Sequence, residues 1–420
     1  MKSKTKNWFL LFSSNYLGVI NDNFLKNCII FIGVTWVMPE YITQSLLISL
    51  ISAALVVPYL IFSPLAGRLS VLYSKQKIFR LCKLAELPIM ILAIIAFYYQ
   101  SVGLSALAVL LMGIQSCLYS PSKYGLIRDI GGEKGIAFGS GVFETMAFLG
   151  ILSGTIIASI IADNYFLHIV AGLFIGFALL GYILTYNIRV KELDIEKTDN
   201  TSINPIKFLK ESYRYASKYS YINCGILGVS VFWLIGGLIQ MDLVIHCKVT
   251  LHTNNTVTGM VMAIAAIGIA LGCSLAGRLS RGTVNTRMIF FGLSGMIIFL
   301  FAIILFNPPV EVFAILIFLT AFMGGLFEVP CLALIQRENT GRKLGDMLAY
   351  MNLVIFIFVL LGSLIFSVTT YLFNENSLIV FGVIDGVCLI MLIYFLLKYP
   401  QFMKKKTLTE NIIYSPTTIT

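Results

Sequence analysis

The feature that most constrains this chain is a succession of apolar blocks, each long enough to cross a bilayer. A hydrocarbon core about 30 Å thick asks for about 20 apolar residues in a helix. Such blocks run at about 8–37, 43–66, 79–99, 103–124, 136–161, 165–187, 221–246, 256–277, 287–306, 310–335, 345–372 and 377–398. The chain is 58% hydrophobic and 12% charged, where a soluble protein of this length carries roughly twice that charged share. The expected fold class is therefore an all-α membrane protein with twelve transmembrane helices. The first block is interrupted by polar groups and lacks a small-residue cleavage site, so it reads as a first span and not as a secretory signal.

The basic residues decide which way the spans run. Of 30 Lys and Arg, 26 fall in the N-terminal segment, alternate loops, the middle linker and the tail, all on one side of the expected layout. That asymmetry places both termini and the linker in the cytoplasm. It also argues against nucleic acid as the reason for the net charge of +10, since no soluble domain carries a basic patch. Eight scattered cysteines without a CxxC pair suggest packing residues, with neither a metal site nor a disulfide framework.

The polar stretch near Arg189–Ser220 lies at the midpoint, with six spans on each side. Leu65-Ala66-Gly67-Arg68-Leu69-Ser70 returns as Leu275-Ala276-Gly277-Arg278-Leu279-Ser280, and Pro121 and Lys134 have counterparts in Pro330 and Lys343. Two echoes at nearly equal offset indicate a duplicated six-helix unit, and an even number of spans gives both copies the same orientation. The expected domains are a six-helix bundle over 1–187, a linker over 188–220, a second bundle over 221–400 and a cytoplasmic tail over 401–420.

Charge inside the spans points to function. Asn21-Asp22-Asn23-Phe24-Leu25-Lys26 interrupts the first block, and a charge near the bilayer centre costs about 2.5–3.5 kcal/mol on insertion scales. Asp22 and Lys26 share a helix face with Asn15, seven residues before Asp22. Glu144 falls about halfway through the fifth span, Lys83 and Glu86 form an i,i+3 pair near the cytoplasmic end of the third, and Lys123 follows Pro121 in the fourth. The lysine of the third span has the alternative of snorkelling to the headgroups. Asp242 in the seventh span, Glu328 in the tenth and Asp385 in the twelfth complete the set.

Gly67, Leu69, Lys75 and Lys77 fit the superfamily loop motif G-x-L-A-D-R-x-G-R-R, but Val71 occupies the aspartate position and Ser74 the second glycine. The acidic residue that ties the halves together is missing, so their interlock is expected to be different or weaker. Taken with Asn21-Asp22-Asn23-x-x-Lys26, Lys83-Leu84-Ala85-Glu86-Leu87-Pro88 and Tyr119-Ser120-Pro121-Ser122-Lys123-Tyr124-Gly125, the chain resembles the lysophospholipid transporter branch of the major facilitator superfamily. The resemblance covers the layout of all twelve spans and is specific mainly within residues 15–155.

That resemblance implies two six-helix bundles, alternating access and inward movement of lysophosphatidylethanolamine-like lipid across the inner membrane, for reacylation by a separate acyltransferase. It implies a monomer among membrane lipids, with no cofactor. Asp22 and Glu144 would face the ammonium, Lys26 or Lys123 the phosphate, and Asn21 and Asn23 would add hydrogen bonds. The alternative is a proton-coupled carrier of a small amphiphile that uses Asp22 or Glu144 as its protonatable group. A receptor or scaffold without transport fits less well with costly intramembrane charge. Enzymatic readings lack support: none of the three histidines opens H-x-x-x-x-D, and neither H-E-x-x-H nor a phosphate-binding G-x-x-x-x-G-K-[ST] occurs. For a lipid carrier a sideways gap is expected, with Gly150 and Gly154 of the fifth span and Gly268, Gly272 and Ser274 of the eighth at its edge.

Overall fold

The computed structural model describes residues 2–33, 36, 44–163, 166–192, 201–280, 283–374 and 376–403. Its described residues form α1 (Lys2–Gly33), α2 (Gln44–Leu72), α3 (Lys75–Tyr98), α4 (Val102–Gly131), α5 (Ile136–Asp163), α6 (Leu167–Tyr186), α7 (Pro205–Ala216), α8 (Ile222–Ile245), α9 (Asn255–Leu279), α10 (Arg287–Phe306), α11 (Val310–Arg337), α12 (Leu344–Leu372) and α13 (Ser377–Lys398). Eleven of these helices have the length and apolarity of a membrane span. α1, at 32 residues, is the twelfth long helix, its apolar run broken by the polar residues from Asn21 to Lys26. The remaining segments of linker and tail, with Lys197, Lys404, Lys405 and Lys406, lie outside the described residues, as does Arg281.

Lipid leaves no water to satisfy peptide groups, so each span closes its own hydrogen bonds as a helix. Side chains satisfy the ends. Ser74 accepts from Lys77 N at the start of α3, Ser101 from Leu104 N at α4, and Asn376 from Leu378 N at α13. The polar linker contains a helix that its sequence marks only as a polar stretch. Asn204 caps α7, Pro205 occupies its first turn, and Phe208, Ser212 and Ala216 form a buried face at four-residue spacing. That face packs against α2 and α12.

One packing pattern appears twice. In the first half α1 packs on α5 and α6, α4 on α2 and α3, and α3 on α6; in the second α8 packs on α12 and α13, α11 on α9 and α10, and α10 on α13. The two halves meet through α5 against α9 and α2 against α12, which are themselves a symmetric pair. This is the parallel duplication expected from the two sequence echoes.

The halves are fastened at the face that carries α7, called here the linker face. A Cβ on Gly141 would lie 2.6 Å from Cys273 O and 2.7 Å from Gly277 Cα, so α5 and α9 touch backbone to backbone. Deeper in the seam, Tyr59 stacks on Phe356 at 4.0 Å and Phe148 on Trp233 at 5.8 Å between ring centroids.

The glycines expected at a sideways gap serve other contacts. A Cβ on Gly154 would lie 2.5 Å from Ile20 O, and one on Gly150 3.0 Å from Val19. Gly268 and Gly272 press in the same way on Phe318 O and Phe322 O of α11. These residues hold each bundle together internally. Periodicity gave them a helix face but not the neighbour that the face meets.

Candidate functional site

α1 carries its polar residues into a cluster with α3 and α4. Asn21 is fully buried, and its Nδ2 donates to Glu86 Oε1 at 2.5 Å. Glu86 Oε2 meets Lys83 Nζ at 2.7 Å, with both side chains 1% exposed. The lysine therefore does not snorkel. Its ammonium crosses α1 at Gly18, where an added Cβ would collide with it, and lies 5.5 Å from the centre of the Tyr119 ring. The bare backbone of Gly18 is what lets the amine enter. A buried pair of this kind is costly to break from one side, by about 3–5 kcal/mol.

Asp22 is half-buried one residue along, and its Oδ2 accepts from Ser116 Oγ at 2.9 Å. Ser116 is in turn next to Gln115, whose amide donates to Cys82 O at 2.9 Å. Asp22 is thus tied to α4 and not to Lys26. The Lys26 ammonium has no hydrogen-bond or ion-pair partner among the described residues. Asn23 turns back on its own helix, with Nδ2 donating to Val19 O at 2.9 Å.

Lys123 occupies a cage of rings one turn below Tyr119. Its ammonium is 5.1 Å from the ring centre of Tyr119, 5.5 Å from Tyr124 and 5.4 Å from Phe143, and donates to Asn15 Oδ1 at 3.4 Å. It bonds no carboxylate, although its charge acts on Glu144 and Asp22. Glu144 instead accepts from Tyr124 OH at 3.0 Å. Across the seam, buried Glu328 of α11 accepts from Cys273 Sγ at 3.7 Å and feels the charge of Glu144. The structure thus gathers Asn15, Asn21, Asp22, Lys83, Glu86, Lys123 and Glu144 on the first half, with Glu328 facing them from the second.

Asp242 does not join them. It lies near the far end of α8, bonded to Ser377 Oγ at 2.7 Å. Asp385 lies on α13, and its Oδ1 has no hydrogen-bond partner among the described residues. No group of three or more His, Cys, Asp or Glu able to hold a metal occurs among the described residues.

The interlock of the halves involves residues that belong to no motif. Arg342, 3% exposed, leaves the loop before α12 and donates to Val71 O at 3.2 Å and Tyr73 O at 2.5 Å. Its Nη1 meets Glu192 Oε2 at 3.1 Å. Glu192 also receives Lys75 N at 2.8 Å, Gln76 N at 3.0 Å and Ser74 Oγ at 2.8 Å, so it caps the start of α3. Burial pushes the Glu192 carboxyl up, but the donors from Gln76, Lys75 and Ser74 outweigh it and hold the group below its ordinary range. The carboxylate absent at Val71 is supplied from the non-helical segment after α6, more than a hundred residues later in the chain. Also between the halves, Arg128 Nη1 of α4 donates to Glu338 O, just beyond α11, at 2.6 Å. An isolated glutamate after a span carried no local signal for this role, because its partners are close only in three dimensions.

Two pseudo-symmetric bundles around a buried, charged centre define a membrane transporter of the Major Facilitator Superfamily, and the chain belongs to that family: the family model matches residues 17–357 and 227–416. Among its relatives, the Lysophospholipid transporter LplT of Klebsiella pneumoniae (strain ATCC 700721 / MGH 78578) is 26% identical over 357 residues, covering 83% of this chain and 85% of that protein. The protein of the same name in Escherichia coli (strain K12 / DH10B) is 25% identical over 348 residues, covering 81% and 83%. Among solved structures, the human organic anion transporter MFSD10 superposes with a TM-score of 0.77 at 14% identity, covering 93% of this chain and 99% of that one. The Escherichia coli fucose:proton symporter FucP gives 0.73 at 13%, with the same coverage. The likeness to these two structures concerns the fold.

Proposed function

We propose that this transporter moves lysophospholipid, of the lysophosphatidylethanolamine type, by alternating access. The observation that carries the reading is the segregation of the centre into unlike walls. α1, α3 and α4 bring charge of both signs together in Asp22, Lys83, Glu86 and Lys123, whereas the opposing α8 and α12 present Phe232, Trp233 and Phe356, with Asn352 of α12 bonded to Ser120 and the carboxyl of Glu328 added from α11. A zwitterionic headgroup needs the first kind of wall and an acyl chain the second. Lys123, caged by rings and bonded to no carboxylate, is the proposed phosphate ligand. Asp22, half-buried with a single serine donor, is the proposed ammonium ligand.

A cavity of about 460 Å³ between α5 and α9 supports a sideways route. It is lined by Phe138, Val142, Thr145, Met146, Ser274 and Arg278. By helical periodicity the α5 residues Phe138, Val142 and Thr145 lie off the side that carries Glu144, and Thr145 Oγ1 donates to Ala270 O of α9 at 3.0 Å. The basic loops make the linker face cytoplasmic, so the inner membrane is the proposed site and the halves are closed on the inside. The proposal extends to inward movement by a monomer that supplies a separate acyltransferase.

The test is uptake of labelled lysophosphatidylethanolamine into spheroplasts, with glycerophosphoethanolamine as the control that keeps the headgroup and lacks the chain. The proposal expects uptake of the first and none of the second. Uptake of the water-soluble compound alone would replace it with the small-solute reading, which the buried carboxylates Glu144 and Glu328 favour as proton acceptors.

A further inference from the structure

The far end of α8 holds a group of side chains that the central cluster does not use. His246 follows Asp242 by one turn and begins a π-helical turn, His246–Thr250. Ser377 is the first residue of α13. Its Oγ lies 2.7 Å from Asp242 Oδ2 and 3.1 Å from His246 Nδ1. Asp242 and His246 are fully buried, and Ser377 is 1% exposed. The imidazole is packed against Phe313 at 4.3 Å and Phe381 at 5.3 Å between ring centroids. Asp242 Oδ1 and His246 Nε2 each lack a hydrogen-bond partner among the described residues.

Counting hydrogens limits what this chain of three can be. Ser377 has one hydroxyl proton to give. If it goes to Asp242, the bond to His246 requires a proton on Nδ1; if it goes to His246, the bond to Asp242 requires a proton on the carboxyl. A carboxylate beside a neutral imidazole would leave one net negative charge in a buried site with a single donor, at a cost of several kcal/mol. The N-terminus of α13 beside Asp242 favours a carboxylate, but brings no full positive charge. α9 contributes Thr258 and α11 contributes Phe313, with Glu311 exposed at its start; Cys247 follows on the π-turn, Lys248 is exposed beyond it, and Asp385 lies two turns along α13. None of these groups forms an ion pair with Asp242 or His246 among the described residues. One added proton removes the charge, either as imidazolium and carboxylate joined through the serine or as carboxylic acid and neutral imidazole.

We infer that Asp242, Ser377 and His246 form a proton-binding site of the second half, distinct from the central cluster. The proton comes from water, forms one N–H or O–H bond and breaks none in the protein. Because Ser377 opens α13 while the other two close α8, occupancy of the site fastens these helix ends together. The π-turn beside it is a local departure from α-helical pairing, a feature often found at functional sites. α8 also packs on α11 and α12, so the site is placed to convey pH on the far face to the wall of the central cavity. The inference holds for any substrate.

Histidine ring nitrogens provide the test, because the chain has only His168, His246 and His252. The full-length protein in lipid nanodiscs, labelled with ¹⁵N at the imidazole, is titrated by NMR as wild type, Asp242→Asn and Ser377→Ala. The expected result is a His246 midpoint displaced by about one pH unit or more in Asp242→Asn, a smaller displacement in Ser377→Ala, and unchanged His168 and His252. Ser377→Ala removes only one oxygen and keeps the comparison open if the aspartate variant does not fold. An identical pH response of the His246 ring nitrogens in wild type and variants, or no response to pH in any of them, whether through protonation of the ring or of Asp242, overturns the inference. A wild-type response to sodium at constant pH in place of a response to pH also overturns it, in favour of a metal-cation site.

Discussion

Replacing Glu192 by Gln removes the charged partner of Arg342 while keeping the size of the side chain. Arg342 retains its bonds to Val71 O and Tyr73 O, so the guanidinium remains at the seam, 3% exposed, without its counter-charge. Breaking one side of a buried ion pair costs about 3–5 kcal/mol, and the surviving backbone bonds favour the lower figure. At roughly 1.4 kcal/mol per decade, a loss of about 3 kcal/mol shifts the balance away from the state closed at the linker face by roughly 100-fold. Cys273 supplies a reporter, since it is fully buried where α5 meets α9. In a variant keeping Cys273 as its single cysteine, a water-soluble maleimide applied from the linker side should label the Glu192→Gln protein far faster than its parent. The sign of the pH effect is fixed as well. The carboxyl titrates lower in the closed state, so the lock is complete above the ordinary glutamate range and is lost only as pH falls through the depressed value. Corrected for the roughly tenfold loss of thiolate per pH unit, labelling of the parent should be flat from neutral pH down to that range and rise below it. Equal labelling rates for the parent, Glu192→Gln and Arg342→Ala would refute the assignment of the interlock.

Asp22→Asn should abolish lysophospholipid uptake with near-normal expression, while Ser116→Ala, which removes only the donor to Asp22, should reduce uptake less; wild-type uptake in Asp22→Asn would make the residue structural. Lys83→Met or Glu86→Gln should each destabilise the protein by about 3–5 kcal/mol in thermal unfolding, and the double replacement Lys83→Met/Glu86→Met should recover much of that loss, since two well-packed apolar groups leave no buried charge unpaired. Gly154→Trp should lower yield of folded protein because it strikes the α1 backbone at Ile20, whereas Gly141→Leu should fold and label faster at Cys273, having wedged only the seam between halves. Lys123→Met should weaken uptake of lysolipids bearing a phosphate and leave thermal stability within about 1 kcal/mol, since its ammonium forms no ion pair.

What the sequence determined by itself is what depends on neighbours along the chain. Run length set the spans, since a bilayer has a fixed thickness. The echo of Leu65–Ser70 in Leu275–Ser280 set the parallel halves, and a spacing of three brought Lys83 to Glu86. The polar residues of α1 were legible as a functional face because charge in lipid is costly wherever the helix points. The rotation of each helix about its axis was not legible, and that depends on packing. Of the partners open to Asp22, its own helix's Lys26 or a polar residue on another helix, packing chose Ser116, and Gly150 and Gly154 met α1 in place of the gap beside α9. Glu192 replaced the missing loop aspartate from a position more than a hundred residues away. His246, which in sequence served only to exclude an enzyme, met Asp242 through Ser377 of another helix. These contacts join residues far apart in the chain, and no local period encodes them; tertiary packing decides them by bringing one chosen face of each helix against another.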